Sequence, residues 1–145
     1  MKMAYSSKAY LNATGSGQVL NLTHDVKRVL ADSQLKSGLV NIVSMLGTTA
    51  IRLMENDPQL QKGYFELVQG LFKAQIVGKP EPRRSGSGAG AYHYMAAMIG
   101  LSLTLPFAEG RLSASPFHDI VAFDFEPKSG RREFVITVLG DAAAK

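Results

Sequence analysis

The stretch from Leu39 to Leu46 constrains the fold more than any other part of the sequence. It is nearly all apolar, rich in valine and isoleucine, and bounded by Gly38 and Gly47. So short a run between two glycines predicts a buried central strand rather than a helix. Elements of both periods surround it. Met3, Tyr5, Ala9 and Leu11 fall on odd positions and predict a first strand within residues 1–12. Thr14-Gly15-Ser16-Gly17 reads as a turn and Gln18 to Leu22 as a short second strand. Thr23 is placed to cap a helix with its hydroxyl, and Asp25 suits the positive end of that helix. Val26, Val29 and Leu30 share one face of it, and it stops before Gly38.

Beyond the apolar run, Thr48 to Met54 keeps a β-like composition, and Asn56-Asp57-Pro58 opens a second helix. Proline is acceptable there because its missing N–H has no helical partner in the first turn. Leu60, Tyr64, Leu67, Val68 and Leu71 follow at helical spacing and predict an amphipathic helix ending near Lys73. Lys79 to Gly88 is a loop by composition, and a helix over about Ala91 to Ile99 succeeds it. Leu101, Leu103 and Leu105 alternate with Ser102 and Thr104 as a strand. Two last strands place Val121, Phe123 and Phe125, then Phe134, Ile136 and Val138, each on one side, with Lys128-Ser129-Gly130 read as a hairpin turn between them. Strands outnumber helices and the links are short. The expected class is α+β with largely antiparallel sheets.

Composition narrows the function. The 145 residues make one domain, spanning 1–145, with 46% hydrophobic and 19% charged residues and twelve aromatics, seven Phe and five Tyr. With no cysteine, disulfides and thiolate metal sites are excluded. His24, His93 and His118 lie far apart, and no histidine or carboxylate cluster has metal-ligand spacing, so no metal and no cofactor are expected. The net charge of +4 favours a small anionic ligand. The sixteen Lys and Arg are scattered, with close pairs only at Lys27-Arg28, Arg83-Arg84 and Arg131-Arg132, which argues against a nucleic-acid partner. The N-terminal residues lack a signal-peptide run, and the longest apolar stretch, Met95 to Ala108, is interrupted by Gly100, Ser102, Thr104 and Pro106. It also falls short of the roughly 18 residues of a membrane span, so a cytoplasmic protein without a membrane partner is expected.

Among polar groups, the most distinctive segment is Gly47-Thr48-Thr49-Ala50-Ile51-Arg52-Leu53-Met54-Glu55-Asn56-Asp57-Pro58. Two hydroxyls follow a glycine at the end of a buried strand, and a Glu-Asn-Asp run comes one short strand later. The same Asn-Asp-Pro is also ordinary chemistry for starting a helix. His93 follows the glycine-rich run Ser85 to Gly90, with Arg83 and Arg84 just before it. Glycine-freed N–H groups, a helix start and two arginines could cradle a phosphate there, though such a run serves equally as a solvated linker.

On these residues the chain resembles the YjbQ-like proteins, commonly labelled secondary thiamine-phosphate synthases. That family carries His-Thr-Thr-Ala or His-Thr-Ser-Ala followed by Glu-Asn and Asp-Pro, and here Gly47-Thr48-Thr49-Ala50 precedes Glu55-Asn56-Asp57-Pro58. A helix histidine before an Ile-Gly step matches His93 and Ile99-Gly100. A Leu-Pro strand end and a Gly-Arg match Leu105-Pro106 and Gly110-Arg111, and closing arginines before a last strand ending in glycine match Arg131-Arg132 and Gly140. The departures fall on polar positions. Gly47 replaces the leading histidine and Gly63 an aspartate; no second histidine lies between Ile76 and Arg84. Ser85 to Gly90 replaces an acidic and amide loop, and Ser115-Pro116-Phe117-His118 replaces Gly-Thr-Trp-Gln.

The resemblance carries over Thr48, Thr49, Glu55, His93 and Arg111, and implies a β-rich α+β sandwich with a few flanking helices that assembles as a homotrimer. It implies joining of thiamine's pyrimidine and thiazole-phosphate halves, with His93 and Glu55 as acid–base residues. Thr48, Thr49, Arg83, Arg84, Arg111 and His118 would then hold a phosphorylated heterocycle. Loss of the family histidines equally fits a catalytically silent ligand-binding or scaffold oligomer.

Overall fold

The structure, a computed structural model, describes residues 2–15, 17–72 and 89–142. Its elements are β1 (Lys2–Ala13), β2 (Gln18–Asn21), α1 (Thr23–Ser33), β3 (Leu35–Ser44), β4 (Thr49–Glu55), α2 (Pro58–Leu71), α3 (Ala89–Ile99), β5 (Ser102–Ala108), β6 (Arg111–Leu112), β7 (His118–Asp124) and β8 (Gly130–Ala142). They form a five-stranded sheet in the order β1-β8-β3-β5-β6 and a three-stranded sheet in the order β2-β7-β4. All the pairings are antiparallel. The protein is of the expected α+β class, with a curled sheet rather than a strict sandwich.

Two cores explain the layers. The first lies between the sheets, where Val40 and Ile42 of β3, Leu105 and Phe107 of β5, and Phe134, Ile136 and Val138 of β8 meet Ile51, Ile120 and Ala122 of the small sheet and Val26, Val29 and Leu30 of α1. The second lies on the other face of the small sheet, where Val121, Phe123 and Phe125 pack on Phe65 and Val68 of α2 and Met95 and Ala96 of α3. Covered on both faces, β7 is buried continuously from Ile120 to Asp124. Sequence patterning gave that place to the Leu39 run. Strand β3 is indeed central in its sheet, but it buries only one face: Val40 and Ile42 are inside, whereas Leu39 is 48% exposed.

Three local expectations are corrected. Thr23 does not cap α1. Leu22 occupies the cap position without a side-chain bond, Asn21 Oδ1 accepts from Thr23 N, and the Thr23 hydroxyl accepts from Ile120 N at 2.8 Å. Helix α1 stops before Gly38, as expected, and its cap Gln34 takes the left-handed conformation (φ 58°) and turns the chain into β3. Helix α2 begins as expected, with Asp57 accepting from Gln59 N and Leu60 N, but it buries Gln61, Phe65 and Val68 and leaves Leu60, Leu67 and Leu71 exposed. Stacking decides this rotation, because the Phe65 ring lies 4.8 Å from Phe125 and 6.2 Å from Phe123. Finally, Lys128-Ser129-Gly130 is no hairpin, since β7 and β8 lie in different sheets and the segment crosses between them.

The turn that sequence reading missed, Glu109-Gly110, joins β5 to the short strand β6. Both residues have positive φ (52° and 74°), as a two-residue hairpin requires, and Ala108 pairs with Arg111 across it. Elsewhere, Gly38 (φ 151°) and Gly140 lie face to face where β3 bulges against β8. A Cβ on Gly38 would collide with the Leu139 carbonyl oxygen, and one on Gly140 with the Ser37 carbonyl oxygen.

Candidate functional site

The small sheet has two ends of opposite character. At the start of β4, Thr48 and Thr49 are buried, 2% and 0% exposed, and both hydroxyls are engaged. Thr49 Oγ1 donates to Asp124 Oδ1 at 2.7 Å, and Thr48 Oγ1 donates to Glu126 Oε1 at 2.7 Å. Asp124 also receives Arg132 Nε at 2.8 Å and Nη2 at 3.1 Å, a bidentate pair, and the same Nη2 donates to the Lys128 carbonyl at 2.6 Å. Arg132 comes from β8, so this buried pair ties the large sheet to the small one. The hydroxyls singled out by sequence therefore hold the fold together at this point.

His93 is near this end too, on the exposed side of α3. Its ring covers Gly47: a Cβ built there would stand 3.2 Å from Cδ2 and 3.7 Å from Nε2. Gly47 thus leaves room for an imidazole that a bulkier residue would displace. Glu55 is at the other end of β4, six residue steps from Thr49, which is about 20 Å of extended chain. The structure separates His93 from Glu55 and pairs Glu55 in register with His118. Gln61 Nε2 donates to the Glu55 carbonyl at 2.6 Å and to Asp119 Oδ2 at 3.2 Å.

At this second end a cleft of about 360 Å³ opens between α1, the β5–β6 hairpin and β7. Lys27, Arg111 and His118 line it, together with the hydroxyl residues Thr23 and Ser115, and among the described residues no carboxylate does. His118 is positioned by a tight turn in which its N–H donates to the Ser115 carbonyl at 3.1 Å, while Ser115 Oγ accepts from Phe117 N at 3.1 Å. Among the described residues, His118 Nδ1 is the buried side-chain atom with no hydrogen-bond partner. A buried imidazole nitrogen in that condition loses its water without replacement, at a cost to the fold.

Two of the expected binding residues, Arg111 and His118, therefore meet. Thr48 and Thr49 are turned inward, and Arg83, Arg84 and Ser85 to Gly88 lie outside the described residues. Sequence reasoning missed Lys27, Thr23 and Ser115 as cleft residues. Thr23 was visible only as a helix-start hydroxyl and Lys27 only as half of a basic pair. Among the described residues no group of three or more histidines and carboxylates could hold a metal ion, and no helix is long and apolar enough to cross a membrane.

Comparison with known proteins agrees with this architecture. The solved structure of a YbjQ-like protein of unknown function from Sulfolobus solfataricus superposes with a TM-score of 0.82 over 97% of this chain and 100% of its own, at 20% identity. A hypothetical protein from Aeropyrum pernix gives a TM-score of 0.81 over 94% of this chain and 98% of its own, also at 20% identity. A UPF0047 protein of Methanothermobacter thermautotrophicus is 22% identical over 128 residues, covering 88% of this chain and 87% of that protein. The model of the family described as UPF0047 protein YjbQ-like matches residues 7–141. With nearly its whole length matched, the chain belongs to the YjbQ-like UPF0047 family.

Proposed function

We propose that this protein binds a small phosphorylated or otherwise anionic molecule in the cleft between α1, β6 and β7. One observation carries the proposal: Lys27, Arg111 and His118 come from three separate elements to line a single cleft that, among the described residues, has no acidic wall. The volume, about 360 Å³, is at the lower end of small-molecule sites. Arginine can engage a phosphate through two N–H groups and lysine adds a point charge.

Turnover of the thiamine-phosphate-synthase type, on a phosphorylated heterocycle, is the second reading. His118 favours it, since an imidazole on the cleft lining is of the side-chain type that most often serves as a general acid or base. His93 and Glu55 do not share the cleft, so binding without the family chemistry is the better-supported function. The test is thermal: inorganic phosphate should raise Tm, and Lys27→Ala with Arg111→Ala should abolish the rise. An equal rise in the double variant would move the site elsewhere. For assembly we propose a homotrimer, on the family resemblance and on the apolar residues that α2 and α3 leave exposed, Leu60, Leu67, Leu71, Tyr94 and Met98. A monomer in light scattering at micromolar concentration would refute it.

A further inference from the structure

We infer that the ligand of this cleft is an organic anion with an apolar body, such as an aryl or alkyl phosphate, with its charged group at the mouth and its body directed inward. This rests on the anion-binding proposal and specifies its ligand.

The distribution of groups within the cleft points that way. Lys27 and Arg111 are both exposed, so the positive charge stands at the mouth. The floor is the main core itself: Leu30, Leu105 and Ile120 line the cleft and are 3%, 8% and 1% exposed. Leu53 and Leu112 form walls and pack against the same core. Polar partners inside are few, and each already serves as an acceptor, keeping one O–H to donate. The Thr23 hydroxyl accepts from Ile120 N and Ser115 Oγ accepts from Phe117 N. A polyhydroxylated ligand would bring several hydroxyl groups against leucine and isoleucine and leave them unpaired. A ring or short chain would lose only water from that surface. The half-buried His118 ring on the lining adds one polar position, which suits a single ester or ring heteroatom between head and body.

The experiment is calorimetric titration of the full chain with inorganic phosphate, 1-naphthyl phosphate and 1-naphthol. The expected result is 1-naphthyl phosphate binding about tenfold or more tightly than inorganic phosphate, from the added apolar contact. 1-Naphthol should bind more weakly than its phosphate. Ala114→Phe, a half-buried loop position on the cleft wall, should reduce the naphthyl ester to the affinity of inorganic phosphate without changing the latter. Leu112→Gln, also half-buried, is the second variant with the same expectation. Equal affinity of the wild type for the two phosphates overturns the apolar body and leaves anion binding intact. Binding of 1-naphthol as tight as its phosphate overturns the anionic head. Retention of the naphthyl advantage in a folded Ala114→Phe or Leu112→Gln protein places the body elsewhere and also overturns the inference. Binding of neither phosphate removes the anion-binding proposal along with it.

Discussion

The two ends of β4 set a closed polar site against an open one. At the Thr49 end, a threonine, an aspartate and an arginine from three strands satisfy one another inside the protein, and Asp124 and Arg132 are 0% and 3% exposed. At the Glu55 end, a lysine, an arginine and a histidine face a cleft, and a buried nitrogen of the histidine has no partner. Polar groups that complete each other's hydrogen bonds have nothing left for a ligand; they fix which sheet meets which. Groups that gather without completing each other retain binding capacity. The motif that looks most like a site belongs to the first kind, and the cleft joins two residues of the family pattern, Arg111 and His118, to Lys27, which lies in none.

The sharpest way to break this contrast is Asp124→Ala. It leaves the Arg132 guanidinium buried without its counter-charge, and loss of about 3–5 kcal/mol is expected in urea denaturation. Replacing both partners, Asp124→Leu with Arg132→Met, removes the buried charges together and should recover part of that loss. About 1–3 kcal/mol should remain, because the Thr49 hydroxyl and the Lys128 carbonyl still lose their partners. A double variant as unstable as the single one would mean that packing, rather than charge pairing, closes this end.

A milder probe of the same end is Thr49→Val, which keeps the shape and deletes one bond to a carboxylate that retains Arg132. A loss of about 1–2 kcal/mol is expected, with the phosphate-induced rise in Tm unchanged. Should Thr49→Val lower phosphate binding with little change in stability, the two ends would have exchanged roles.

These outcomes bear on what the sequence could disclose. Alternation identified the strands and their inward faces, including Phe134, Ile136 and Val138, because a period of two is a local property. It could not say that β7 and β8 part into different sheets, since a short link reads alike whether it folds back or crosses over. The face of α2 was ambiguous for a related reason: Leu60, Leu67 and Leu71 form one stripe and Gln61, Phe65 and Val68 another, and the aromatic pair Phe123 and Phe125 beneath the helix selects the second. At the cleft, Arg111 and His118 were legible as candidates through the family resemblance. Their meeting with Lys27 was not, because α1 and β7 are brought together only by the inter-sheet core, across some ninety residues of sequence.

The smallest expected effect separates His93 from the cleft. Gly47 shows no positive φ that would bar alanine, so Gly47→Ala reduces the freedom of the unfolded chain, worth about 0.4–1 kcal/mol in favour of folding. Against this, the new Cβ would stand 3.2 Å from His93 Cδ2, tight enough that the ring must shift by a few tenths of an ångström. The two terms oppose each other at a similar size, so Tm should hardly move. The ligand response is the informative readout. His93 contacts the Thr49 end, about 20 Å along β4 from the His118 end, so disturbing its ring should leave the phosphate-induced rise in Tm as in the wild type. Loss of that rise in Gly47→Ala, at unchanged stability, would put the anion beside His93 and reverse the assignment of the two ends.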